Sequence, residues 1–264
     1  MLRKLLKYDI TDALNRVILI YGGVALLCAL AYRLFDLFPD SALWDFVSGF
    51  CFGAAISMAV TMLINVIIHA WVNFKTTVYG DRGYLTHTLP ITKRTVYNSK
   101  LLSAFCALAL GIAVTLITLL ILLFSDAYLE IIKELFGAVS EIYQMDVSVL
   151  LIVVAAELLV QTFALIQSGL IGIILGHRFP NAKGGLSFVF GLIAYMISQG
   201  TALIIMLAAA LVKRDMLSVF FSTEAPTVSV IKAFLLVGII AYAAVNVIFY
   251  FVATKTFNKG VNLD

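Results

Sequence analysis

Apolar side chains run almost without interruption through six stretches of the chain, and polar ones collect in the segments between them. The stretches cover residues 17–35, 46–71, 101–124, 149–176, 185–212 and 230–254. None alternates with a period of two, so they do not read as the strands of a membrane barrel. Each is long enough to cross a hydrocarbon core of about 30 Å as a helix rising about 1.5 Å per residue. Hydrocarbon offers the backbone no outside hydrogen-bond partner, so helix is the conformation expected of all six. Pro39, Pro90, Pro180 and Pro226 fall between the stretches, where helix breakers belong.

The segments outside the spans carry their own periodicity. In residues 1–16, Leu2, Leu5, Leu6, Ile10, Ala13 and Leu14 lie on one helical stripe that continues to Val17. Arg3, Lys4, Lys7, Thr11, Asp12 and Asn15 lie opposite. This pattern predicts an amphipathic helix with a cationic face lying on the inner leaflet, the alternative being a helical extension of the first span. Residues 126–144 repeat the pattern on the other side of the membrane, with Leu129, Ile132, Leu135 and Phe136 opposed by Glu130, Lys133 and Glu134. Residues 213–229 contain a short apolar run, MLSVFF at 216–221, that is thin support for a re-entrant turn.

Composition agrees with this pattern and excludes a soluble enzyme domain. The 264 residues are 62% hydrophobic and only 12% charged, with a mean hydropathy of +1.06. Soluble chains carry about twice that share of charge. Charge then fixes the expected orientation. With the N-terminus inside, 13 of the 18 Lys and Arg residues fall in inner segments, and the acidic residues lean outward. Trp71 and Trp44 stand at opposite ends of the second stretch, as interfacial anchors do. Both termini are expected in the cytoplasm. The net charge of +3 reflects this asymmetry and gives no reason to expect nucleic acid as a partner. The Ala29-Leu30-Ala31 segment faintly resembles a signal-peptidase site, but Asp9 and Asp12 are foreign to a short basic leader, so the first span is expected to stay. Cys28, Cys51 and Cys106 lie within spans, without a CxxC pair, and read as small packing residues.

The longest inner loop, residues 73–100, is longer than a helix hairpin needs. Gly80 and Gly83 flank Asp81-Arg82 and let the chain leave a helical extension of the second span. Pro90 disfavours helix at Leu89, and Thr92 is placed to cap the third span. Between these breaks a short segment offers Tyr84, Leu85 and Leu89 to the cytoplasm, either to a protein partner or to the membrane interface.

The residues of this loop resemble a known family. Gly83-Tyr84-Leu85, Leu89-Pro90-Ile91-Thr92 and Ser99-Lys100-Leu101-Leu102 follow the pattern between the second and third spans of permease subunits of bacterial ABC transporters of the ABC-2 class. The resemblance covers about twenty residues of motif, and a leading amphipathic helix with six spans accords with it. It implies an exporter in the bacterial cytoplasmic membrane, built from two permease subunits (a homodimer or a heterodimer) and separate ATPase subunits. It also implies that Gly83, Tyr84, Leu85, Thr86, His87, Thr88 and Leu89 form a coupling helix that docks on the ATPase, with ATP and magnesium bound there. The family's re-entrant pair before the last span has only the MLSVFF run to match it.

The chain itself carries no catalytic signature and no cofactor of its own is expected. It has no GxxxxGK[ST], no HExxH and no GxSG, and His69, His87 and His177 form no metal-ligand spacing. Glu157 stands apart as an acid deep in a span, with Gln161 one turn on and on the same face. A charge there costs about 2.5–3.5 kcal/mol on insertion scales, so it should face protein or water. Three readings follow: the wall of a substrate pathway shared with Gln161, a proton-coupling carboxylate of a secondary transporter, or a paired residue at a helix contact. Gly49-x-x-x-Gly53 and Gly172-x-x-x-Gly176 permit close helix approach, between subunits or within one.

The sequence therefore predicts an all-α integral membrane protein with six transmembrane helices, cytoplasmic termini and an N-terminal amphipathic surface helix. Residues 1–16 are that surface helix and 17–264 a single transmembrane domain. The expected function is that of a permease subunit of an ATP-driven exporter, not itself an enzyme. An ion-coupled secondary transporter using Glu157, or a non-transporting membrane scaffold, is the alternative.

Overall fold

The computed structural model describes residues 2–35, 38, 41–80, 82–88, 90–123, 147–179, 183–213 and 228–259. Among them are helices and no strand. In chain order they are α1 (Leu2–Ala13), a π-helical segment (Leu14–Gly22), α2 (Gly23–Phe35), α3 (Ala42–Val78), α4 (Gly83–Thr88), α5 (Lys93–Leu123), α6 (Val147–Gly176), α7 (Lys183–Val212) and α8 (Val228–Asn258). Six helical stretches are long and apolar enough to cross a membrane, and they coincide with the six expected from the sequence. Only 17–33% of each apolar window is buried within the protein. Leu27, Phe46, Ile152, Phe188, Leu211 and Phe251 instead point outward. A soluble protein does not expose that much contiguous apolar surface, and a multi-pass membrane protein presents it to lipid.

The helix ends follow local chemistry. Ser41 precedes α3 and accepts the Trp44 N–H on its hydroxyl at 3.4 Å, while Asp45 supplies an acid in the first turn. Thr92 is the N-cap of α5, as expected, accepting the Thr95 N–H at 3.3 Å. The short helix α4 is described to Thr88, and Leu89 lies outside the described residues. The segment 1–16 is helical, and α1 passes through the π-helical segment into α2 as one helical run of 34 residues. No proline interrupts residues 2–35, and only Gly22 and Gly23 weaken the run. The segment 126–144 and the run 216–221 lie outside the described residues.

Contacts group the chain into two compact units, residues 1–72 with 98–137, and residues 73–97 with 138–264. In the first, Ala29, Tyr32, Ala55 and Leu122 form a buried cluster against which Cys28, Cys51 and Phe52 pack. Gly22 lies so close to Met62 that an added Cβ would meet its Sδ at 2.8 Å. Asp9 is buried on the inner face of α1. It accepts hydrogen bonds from Lys100 Nζ at 2.6 Å and from Ser99 Oγ at 2.9 Å. One turn on, Asp12 pairs with His69 at 3.0 Å and with Arg16 at 2.6 Å. These pairs tie the N-terminal helix to α5 and α3.

The second unit is built on α6, α7 and α8. Gly172 and Gly176 let α6 approach α7 backbone to backbone: a Cβ at Gly172 would stand 2.5 Å from Gly191 Cα and from Ser187 O. This close-approach pair therefore packs within the chain. Gly49 and Gly53 have no neighbour within 4 Å of a would-be Cβ. At the Ala210 end, Val230 and Ala210 are buried together against Phe234 and Val237.

Candidate functional site

Two groups of candidate residues stand out, and both belong to the second unit. The first is the loop between α3 and α5. The helix α3 ends where Tyr79 N–H and Gly80 N–H both donate to Lys75 O, at 2.9 and 3.0 Å. At Gly80 a Cβ would press on Thr76 O at 2.9 Å, so this turn needs a residue without one. The chain then closes a tight turn, Gly83 N–H donating to Gly80 O at 2.7 Å, and enters α4. Thr86 fastens α4 back onto α3 by donating its hydroxyl to Thr77 O at 2.7 Å. Gly83 is buried, while Tyr84 and Thr88 face outward, Tyr84 with 60% of its surface exposed. The side chains of Leu85 and His87, and the whole of Leu89, lie outside the described residues.

Aromatic packing joins this loop to the ends of α6 and α8. The Tyr79 ring stacks on His177 at 4.2 Å between centroids, and His177 Nδ1 sits 2.9 Å from Ile173 O on α6. Burial pushes the Tyr79 hydroxyl well above its ordinary pKa, and the positive charge of Arg178 works against that shift. Phe74 at the end of α3, Tyr97 at the start of α5 and Phe257 at the end of α8 form a buried triad with centroids 6.0–6.3 Å apart. Arg94 donates to the Tyr250 hydroxyl of α8 at 3.3 Å, and Arg178 donates to Thr256 O at 2.6 Å, satisfying a carbonyl in the last turn of α8. Ring contacts and hydrogen bonds thus connect the segment after α3 to the ends of α6 and α8.

The second group is a ladder of polar residues on the apolar helices α6, α7 and α8, running from exposed Gln161 to buried Tyr242 and Asn246. Tyr242 of α8 donates its hydroxyl to Gln199 Oε1 of α7 at 2.7 Å and lies 3.5 Å from Gln161 Nε2 of α6. Deeper along α8, Asn246 accepts from Gln167 Nε2 and donates to Val160 O, each at 2.9 Å. One turn the other way is Gly238. A Cβ there would stand 2.8 Å from Glu157 Oε1 and 3.3 Å from Met206 Cε. The Glu157 carboxylate is therefore seated over the bare Cα of Gly238. It is half-buried, and among the described residues no Lys, Arg or His pairs with it.

The structure thus brings Glu157 and Gln161 together on one face, as their spacing predicts. It places them apart from Tyr84 along the same unit. It adds Gly238, Tyr242 and Asn246, which sequence reasoning passed over although their four-residue steps put them on one side of α8. Gln199 had no local signal, because its partner is on another helix. Asp9 was legible in part: it sits within the apolar stripe of α1, where an acid needs a partner. His69 and His177 are both engaged by neighbours, and no cluster of metal-ligating side chains occurs among the described residues. No protein-family model, no curated protein and no solved structure matches the chain.

Proposed function

We propose that this chain is the permease subunit of an ATP-driven exporter of the ABC-2 class, acting in a bacterial cytoplasmic membrane with a second permease subunit and separate ATPase subunits. The observation that carries the reading is the helix α4, held to α3 by Thr86, with Tyr84 turned outward and the Phe74–Tyr79 ring pair at the end of α3. An exposed aromatic on a short, braced helix between two long apolar helices is suited to a protein partner that pushes on it. Residues 83–89 would be the docking element, with ATP and magnesium held by the partner. The aromatic packing behind it offers a stiff path from such a partner to α6 and α8. These two helices bear the ladder that includes Glu157 and Gln161, the residues assigned here to the substrate pathway.

Gentle extraction of the full-length chain from its native membrane tests the proposal. A P-loop ATPase should co-purify in stoichiometric amount, and the Tyr84→Ala/Leu85→Ala double variant should lose most of it while still inserting in the membrane. An ATPase retained by the variant would move the contact elsewhere. No ATPase in repeated preparations would overturn the reading.

A further inference from the structure

We propose that Glu157, with Gln161 beside it, receives the ammonium group of an amphipathic organic cation, and that this is the chemical class of the exported substrate. The inference rests on the permease reading and adds the ligand chemistry of its pathway.

The argument begins with acceptors. Tyr242 gives its only hydroxyl proton to Gln199, and the Gln161 amide N–H is turned toward Tyr242. That leaves the two carboxylate oxygens of Glu157 and the amide oxygen of Gln161, one helical turn apart, without a donor among the described residues. Three acceptor oxygens, one pair of them a carboxylate, outnumber the single Gln161 N–H that is not turned toward Tyr242, and so call for a ligand that brings hydrogens and positive charge. A primary ammonium does both, with three N–H groups for a carboxylate and a neighbouring carbonyl.

Position is the second part. Glu157 Oε1 occupies the space that a side chain on Gly238 would fill, and Met206 closes the same spot with its methyl group. The carboxylate is thus fixed at a notch with an apolar wall, and it keeps part of its surface open. Around it the outward-facing side chains of α6 are the apolar Val154 and Leu158, with the polar Gln161 one turn on. A charged head set among apolar neighbours fits a ligand with an apolar body. A hard divalent cation fits poorly, because calcium takes about 6–8 oxygen ligands and the described residues here offer far fewer.

The test uses the full-length protein in lipid nanodiscs and a primary alkylammonium carrying a photoreactive diazirine in its chain. Labelling should map to α6 or α8. Octylammonium should compete for it and octan-1-ol should not. Glu157→Gln keeps the side-chain volume and should weaken labelling by about tenfold or more, as loss of a charge-assisted bond implies. Gly238→Ala, which displaces the carboxylate without removing it, should weaken it in the same direction. Competition by octan-1-ol equal to that of octylammonium would overturn the proposal on the unmodified protein alone, whatever the variants do. So would equal labelling of Glu157→Gln, or no labelling of α6 and α8 at all. ATPase co-purification does not depend on Glu157, so the two readings fail separately. An ATPase with no amine site overturns only this inference, and an amine site with no ATPase overturns the permease reading.

Discussion

Gly172 shows how one missing methyl group decides a helix contact. Its would-be Cβ stands 2.5 Å from Gly191 Cα, and backbone cannot swing away as a flexible side chain can. Gly172→Ala should therefore force α6 and α7 apart and destabilise the second unit by about 1–3 kcal/mol, as overpacking does. Thermal unfolding in detergent checks this, with Gly200→Ala as the comparison. Gly200 lies mid-helix with nothing within 4 Å of the same position, so alanine there should leave stability unchanged or raise it slightly. The two glycines read alike in the sequence. The spacing Gly172-x-x-x-Gly176 is a signal that close approach is possible, but Gly49-x-x-x-Gly53 carries the same signal and meets no neighbour.

Among elements, the N-terminal helix is the one whose environment differs most from its sequence pattern. Its cationic face is exposed at Arg3, Lys4 and Lys7, as an amphipathic stripe predicts. Its other face, however, buries a carboxylate. Asp9 and Lys100 are ion-paired at 2.6 Å, with only 10–11% of either side chain accessible. Breaking such a pair from one side leaves a buried charge without its partner, so Asp9→Leu alone should cost about 3–5 kcal/mol, whereas replacing both partners by apolar residues can be close to neutral. A double-mutant cycle with Asp9→Leu, Lys100→Leu and the pair, followed by unfolding in detergent, should show strong coupling in which the double variant recovers most of the loss. Additive losses would mean that the two residues act separately. Half of this was legible. An acid amid Leu5, Leu6 and Ala13 announces that it needs a partner, but nothing local says that the partner stands ninety-one residues away on α5. The helix ends, by contrast, were readable in advance at Gly80 and Thr92, because caps and breakers act within a turn of their own position.

For the whole molecule, orientation follows from charge counted along the chain. If all six apolar helices cross, residues 2 and 259 lie on the same side, and the excess of Lys and Arg in the segments on that side predicts that it is the cytoplasmic one. A fluorescent-protein fusion after residue 259 should be bright, and an alkaline phosphatase inserted in 124–146 should be active. The reverse pair of results would invert the topology. The docking loop would then face away from any cytoplasmic ATPase, so this measurement also bears on the proposed function.

By itself the sequence determined the helical class, the number of long apolar helices and some of the helix ends. Bilayer thickness, the backbone's demand for hydrogen bonds and the behaviour of glycine, proline and threonine all act over short distances along the chain. It also singled out Glu157 and Gln161, since one helical turn separates them. Tertiary structure alone decided what meets them: the bare Cα of Gly238, the methyl of Met206 and the Tyr242–Gln199 hydrogen bond come from helices far apart in sequence. It alone fastened the α3–α5 loop to α6 and α8 through Tyr79, His177 and Phe257. Lipid-facing helices carry apolar residues on nearly every side, so periodicity cannot say which face of one turns to which face of another, and packing has to choose.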